Sequence, residues 1–259
     1  MIPDDFKMLK DASEFSAFNE KLALLIEPYL NNQWEMADFG CGLALLDFKI
    51  APYLKSITAI DINDAVLHEV EKAIDNELLK GNKSAGIIHT LHADTRELSS
   101  EMLWDIVLLN FYNVPYEELD ALIGRAKECA IIIVDGKSSN TKFMPESLNR
   151  NHYTAPDLEE YFTNQGYNYK KNIVEMQFGY PFKNMQEIQA FLQKLSVVES
   201  YNSSEDSDDE SDIASNVDVT SDFDKLVASL EERIIRTNRY DYPYYLPKNV
   251  SIGIFVITK

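Results

Sequence analysis

The chain has 259 residues, 45% of them hydrophobic and 11% aromatic, enough to bury the core of one large domain or of one domain with an insertion. Its 43 acidic and 24 basic residues leave a formal charge of −19, and no Lys/Arg cluster offsets it, so nucleic acid is an unfavoured partner. Two cysteines (Cys41 and Cys129), four scattered histidines and no zinc-type spacing suggest neither a disulfide framework nor a metal site, and a reducing, cytoplasmic setting fits.

"MIPDDFKMLK" lacks the apolar region of a signal peptide, and no apolar run approaches the ~20 residues of a membrane span, so a soluble protein is expected. Residues 5–31 carry Phe15, Phe18, Leu22, Leu25 and Ile26 near helical spacing. A short strand, Trp34 to Phe39, runs into a glycine turn, and a helical stretch to about Leu54 follows. "SITAIDIN" is a β-branched strand ending at Asp61, and "DAVLHEVEKAIDNELLK" is an amphipathic helix stopped by Gly81. "AGIIHTLHAD" is a third strand ending at Asp94, and "WDIVLLNFY" a fourth that runs out at Asn110. Then come a helix, "YEELDALIGRAKE", and a strand, "CAIIIVDG"; a second helix opens at Thr154 and Pro156 and closes at Gly166. "KNIVEMQFGY" is a sixth strand and "SIGIFVITK" the last. This alternation predicts an α/β fold: a doubly wound, mostly parallel sheet with helices on both faces.

Residues 199–222 break the pattern with nine acids, no basic residue and almost no large apolar side chain. Such a run cannot bury enough surface to offset its ordering entropy and reads as a mobile acidic linker. It separates amphipathic helices at about 184–197 and 222–237. Residues 184–249 therefore read as a helical insertion, a cap between the sixth and last strands of a single domain spanning 1–259.

Ligands of such sheets sit at the carboxyl ends of the strands. In "DFGCGLA", Gly40 and Gly42 leave backbone bare after the first strand, so a ligand can lie against the chain there, or the turn is simply tight. Asp61, about 20 residues on, is placed to accept hydrogen bonds from two ribose hydroxyls, or to cap the helix beginning near Asn63. Asp94 can hold an adenine amino group or cap a turn. A nicotinamide site wants G-x-G-x-x-G, and Leu45 stands at the third glycine. Asp38, just before the turn, would repel a pyrophosphate and attract a sulfonium or an amino group, both of which S-adenosylmethionine carries.

"MADFGCGLALL", "ITAIDIN", "LHADTREL" and "WDIVLLNFY" resemble, in order, the successive motifs of the class I S-adenosylmethionine-dependent methyltransferases, over about residues 34–135. "NVSIGIFVITK" is similar to that family's last strand, and Ala44 stands where the family has its third glycine. The resemblance implies a Rossmann-like, seven-stranded sheet with the last strand antiparallel. It also implies S-adenosyl-L-methionine as cofactor, with Asp38, Gly40 and Gly42 lining its methionine end. Asp61 would hold the ribose hydroxyls, Ile62 would pack on adenine, Asp94 and Thr95 would sit at the adenine edge, and Asn110 and Phe111 beside the reactive methyl.

The implied reaction is in-line methyl transfer to a small-molecule acceptor or, less favoured, a protein side chain. A catalytically silent binding protein of the same fold and a nicotinamide oxidoreductase are the competing readings. Tyr112, Asn113, His152 and Tyr153 are candidates for acceptor contact, with His152 as a possible general base or a solvated loop histidine. "NVPY" at 113–116 is read as a chance near-match to the signature of amino-methylating enzymes. Four tyrosines in "RYDYPYYLPKN", 239–249, could wall a substrate pocket or simply pack.

Overall fold

The architecture was obtained as a computed structural model, which describes residues 3–136, 153–192 and 232–259. His152, the acidic run 199–222 and most of the two predicted flanking helices' inner halves lie outside the described residues. The chain divides into two compact units, 1–177 with 249–259, and 178–248.

The first unit is built on seven strands: β1 (Glu35–Phe39), β2 (Ser56–Asp61), β3 (Ile88–His92), β4 (Trp104–Asn110), β5 (Ala126–Asp135), β6 (Tyr169–Gln177) and β10 (Asn249–Thr258). They lie in the order β3-β2-β1-β4-β5-β10-β6. The first five are mutually parallel, and β10 runs antiparallel between β5 and β6. This is the Rossmann-like arrangement that the strand–helix alternation and the motif resemblance anticipate, and the order reverses between β1 and β4, the place where such sheets open a crevice. Helices α4 (Asp64–Leu79), α5 (Tyr116–Gly124) and α6 (Ala155–Gln165) cross between strands. On one face Phe39, Trp104, Leu119, Phe162 and Phe255 belong to a continuous buried cluster, with Phe39 edge-on to Trp104 at 5.6 Å.

Local chemistry explains the helix ends. Thr154 and Asp157 form a capping box before α6, and Gly166 closes it at φ 74°. Two expectations are corrected. The single helix over 5–31 is broken at Ala17 (φ 52°) into α1 (Pro3–Ser16) and α2 (Phe18–Ile26). There Ser16 Oγ donates back to the Ala12 carbonyl at 2.7 Å and Asn19 Nδ2 to Ser13 Oγ at 2.6 Å, so polar side chains compete with the helical ladder. The helix after the glycine turn is also far shorter than periodicity suggests: α3 is only Asp47–Ile50, because Pro52 forces a 3₁₀ turn directly after it.

The second unit holds a small antiparallel sheet, β7-β9-β8, from Tyr180–Phe182, Tyr244–Leu246 and Ile235–Arg236. A helix at 185–192 packs Ile188 and Leu192 with Phe182 and Leu246. The insertion is therefore not wholly helical: the helix predicted to reach 237 gives way to strand β8, whose Ile235 and Arg236 pair with Tyr245 and Tyr244. The tyrosines of 239–249 are partly engaged by the unit's own cations, with Arg236 over Tyr244 at 6.0 Å and Lys183 over Tyr242 at 5.6 Å.

Candidate functional site

Strand register brings the predicted residues to one rim. Phe39 pairs with Ile60 and Asp38 with Leu108, so Gly40, Asp61 and Asn110 stand level at the carboxyl ends of three neighbouring strands. Asp61 ties the rim together: Oδ2 accepts the Gly42 N–H at 3.1 Å and Oδ1 the Asn63 N–H at 2.9 Å. The cap of α4 falls instead to Asn63, which accepts from the Ala65 N–H. Beside Asp61, the apolar side of Ile62 is 63% exposed, although its carbonyl is hydrogen-bonded to His92 Nε2 at 2.9 Å.

The turn itself needs left-handed backbone at Gly40 (φ 68°), Gly42 (φ 52°) and also Ala44 (φ 52°), where alanine accepts a strain of roughly 1 kcal/mol. The two glycines are bare for different reasons. A Cβ on Gly42 would meet nothing within 4 Å, so this peptide faces open space. A Cβ on Gly40 would lie 2.1 Å from the ring of Tyr112, so the protein's own side chain covers that peptide. Tyr112 is held there by its hydroxyl, 3.2 Å from Thr95 Oγ1, and Thr95 in turn donates to Glu118 at 2.5 Å.

Beneath the turn lies a pair of carboxyls. Asp38 and Asp47 are 1% and 0% exposed, and Asp38 Oδ1 and both Asp47 oxygens find no donor. Were both ionised, neither could satisfy the other; a single shared proton can. Burial first, then the charge of Asp47 and its hydrogen bond, push the Asp38 carboxyl well above the carboxylate range. Burial raises Asp47 as well. Among the described residues no Lys or Arg pairs with either. Cys41, in the turn, is a buried thiol pushed far up by burial and then by Asp38, and is not a nucleophile at neutral pH.

At the outer rim, Asp94 lies two residues beyond β3 and caps a 3₁₀ turn. Arg96 takes both its oxygens, Nε to Oδ1 at 2.9 Å and Nη2 to Oδ2 at 2.5 Å, and holds the carboxyl down at about 2. After β4, Asn110 Oδ1 is buried without a donor, and Phe111 adopts φ 54°, a costly conformation for a bulky residue. Tyr153 reaches this loop: its hydroxyl accepts the Val114 N–H at 3.4 Å and its ring stacks on Tyr116. Burial pushes its hydroxyl up to about 12 and raises Tyr112 too, so neither phenol is a base at neutral pH. Sequence reasoning missed Asp47 and Glu118. The signal for Asp47 was present, an acid inside the apolar "LALLDF"; Glu118 looks like any exposed helix acid until the fold sets it against Thr95.

Together these features form a Rossmann-like crevice, and the sheet order and reversed last strand are those of the class I S-adenosylmethionine-dependent methyltransferase fold. Solved structures agree over almost the whole chain. A candidate methyltransferase of Bacillus halodurans matches with TM-score 0.56 at 10% identity, covering 93% of this chain and 98% of that one. A SAM-dependent methyltransferase of Thiobacillus denitrificans, in complex with S-adenosyl-L-homocysteine, matches with TM-score 0.51 at 11% identity, covering 93% and 92%. No family model and no curated protein matches the sequence.

Proposed function

We propose that the crevice binds S-adenosyl-L-methionine and that the chain transfers its methyl group to a small-molecule or protein side-chain acceptor. The observation that carries this reading is the buried Asp38–Asp47 pair beneath the glycine turn, with buried acceptor oxygens and no cation among the described residues. Such a floor disfavours a pyrophosphate and suits a ligand bearing ammonium and sulfonium groups. The rest of the cradle fits the same ligand. Gly42 leaves room for close approach, Asp61 keeps lone pairs for ribose hydroxyls, and Ile62 offers an apolar surface for a base.

When bound, the cofactor supplies an electrophilic methyl carbon on a positively charged sulfur. The chain's share is positioning and exclusion of water. In this reading Asn110 and the strained Phe111 peptide border the reacting methyl, and the buried Asn110 Oδ1 accepts a hydrogen bond from cofactor or acceptor. Beside the cofactor these residues would align an acceptor's lone pair with the methyl carbon, and the acceptor's proton would leave after transfer, when the crevice reopens to solvent. Neither Tyr112 nor Tyr153 serves as base, because both phenols are raised.

Calorimetry with S-adenosylhomocysteine and with NADH tests the proposal. Binding of the former alone supports it; binding of NADH alone overturns it. A second reading, a silent binding domain of this fold, is favoured by one observation, the Tyr112 ring seated on Gly40. It predicts cofactor binding that leaves the methyl group in place across a panel of oxygen, nitrogen and thiol acceptors.

A further inference from the structure

The chain itself fills the crevice over Gly40. Tyr112, half-buried, leaves the loop after β4 and lays its ring on Gly40 at the end of β1. The fit is close enough that a Cβ on Gly40 would lie 2.1 to 2.6 Å from three ring atoms. Its hydroxyl reaches Thr95, in the 3₁₀ turn after β3, at 3.2 Å. Since the strand order is β3-β2-β1-β4, one side chain spans the rim from the loop of the fourth strand to that of the third. The phenol stands in the field of Glu118, Asp61 and Asp94, the last two being the acids that the family resemblance assigns to ribose and adenine. Ring and nucleoside therefore claim the same ground, and the ring's contact with Gly40 leaves no room for both.

The ring is held by a directed chain of hydrogen bonds. Thr95 Oγ1 gives its one proton to Glu118 at 2.5 Å, so the Tyr112 hydroxyl is the donor to Thr95 and Glu118 is the terminal acceptor. The backbone before the ring is fixed, because the Phe111 N–H donates to the Ile133 carbonyl at 2.9 Å and Phe111 is held at φ 54°. Motion is left to the side chain, which rotates between staggered positions once the bond to Thr95 breaks.

We propose that Tyr112 is a displaceable plug: its ring closes the crevice over Gly40, Thr95 and Glu118 latch it there, and S-adenosylmethionine enters when the ring turns out. The inference rests on the proposed function, since it takes the same ligand. Gly40 then serves two occupants in turn, and its missing β-carbon admits each of them. Affinity falls in proportion to the fraction of molecules with the ring turned out, so loosening the latch raises affinity without adding a contact to the ligand. A plain wall of the site behaves in the opposite sense, because truncating it removes contacts and weakens binding.

Calorimetry of the full chain with S-adenosylhomocysteine separates the two. Tyr112→Ala should tighten binding at least tenfold. Tyr112→Phe, which keeps the ring and removes its hydroxyl, should tighten it by about threefold, and Glu118→Ala should act in the same direction. Fluorine NMR of fluorotyrosine-labelled protein follows the ring itself. The Tyr112 signal is the one missing from Tyr112→Phe, and fully exposed Tyr240, assigned likewise by Tyr240→Phe, marks a solvated ring. The ligand should move the Tyr112 signal toward that position, and Glu118→Ala should move it part of the way without ligand. Equal or weaker binding by Tyr112→Ala, or binding that leaves the Tyr112 signal in place, overturns the plug and leaves the cofactor reading standing. A signal indifferent to Glu118→Ala overturns the latch. Absence of binding to wild type and Tyr112→Ala alike overturns the cofactor reading and the plug with it.

Discussion

Asp38 and Asp61 end adjacent parallel strands of the same crevice, yet the fold treats them in opposite ways. Asp61 sits at the rim with a backbone N–H on each oxygen, from Gly42 and Asn63. Its charge is solvated by the turns it joins and costs the fold little. Asp38, on the floor, is buried against a second buried carboxyl, and three of their four oxygens lack a donor. The rim is satisfied by the chain's own backbone; the floor holds an electrostatic problem that, on the proposed function, a cationic ligand would relieve. Differences of this kind mark sites, because a protein selected for stability alone would replace the floor acids with apolar residues.

The largest effect expected is a split between stability and binding. Asp38→Asn combined with Asp47→Asn removes the buried charge, so the free protein should become more stable, by roughly 1–4 kcal/mol in chemical denaturation. The same variant should lose affinity for S-adenosylhomocysteine by about 100-fold, the scale of one or two charge-assisted hydrogen bonds. A variant both less stable and unchanged in binding would mean that the pair is a structural network without a ligand.

Titration sharpens the same contrast. Both floor carboxyls are raised above the ordinary range. The folded state therefore holds protons that the unfolded chain releases near pH 4, and between there and neutrality it binds more protons than the unfolded chain. Stability contributed by the pair is complete below about pH 4 and is lost as pH rises toward Asp47's value of about 7. Thermal unfolding of the free protein should show Tm falling from pH 5 to 7.5, and the double asparagine variant should flatten that slope. Binding of a cationic ligand should release protons, read by calorimetry in buffers of different ionisation enthalpy.

At the rim the effects are smaller. Asp61→Ala should weaken S-adenosylhomocysteine binding by about 1–3 kcal/mol, through unpaired ribose hydroxyls and a loosened Gly42 turn. An unchanged dissociation constant removes Asp61 from the ribose.

How legible all this was from the sequence depends on the length scale of the physics. The sheet was readable because β-branched runs such as "SITAID" and "CAIIIVD" stop where a polar residue ends them, the latter buried throughout. The rim residues were readable for the same reason, since a strand's end is a local property. What escaped depends on contacts distant in sequence. Asp47 meets Asp38 only after α3 is cut short, and the Tyr112 ring reaches Gly40 only across the sheet. The break at Ala17 and strand β8 were hidden by helical periodicity that polar side chains and a cross-strand partner override.

The smallest effect expected belongs to Asp94. Both its oxygens are committed to Arg96, and its own turn uses one of them for the Arg96 N–H at 3.0 Å. An adenine amino group would have to compete with a bidentate guanidinium, the strongest donor geometry proteins offer to a carboxylate. Exposure of that ion pair limits its worth to stability but not its occupancy of the lone pairs. Asp94→Ala should therefore change the S-adenosylhomocysteine dissociation constant less than about threefold, within ~0.5 kcal/mol, well below Asp61→Ala. If the loss instead matches Asp61→Ala, Arg96 must swing away on binding. In that case Arg96→Ala should tighten binding, because it frees the carboxylate that the base requires.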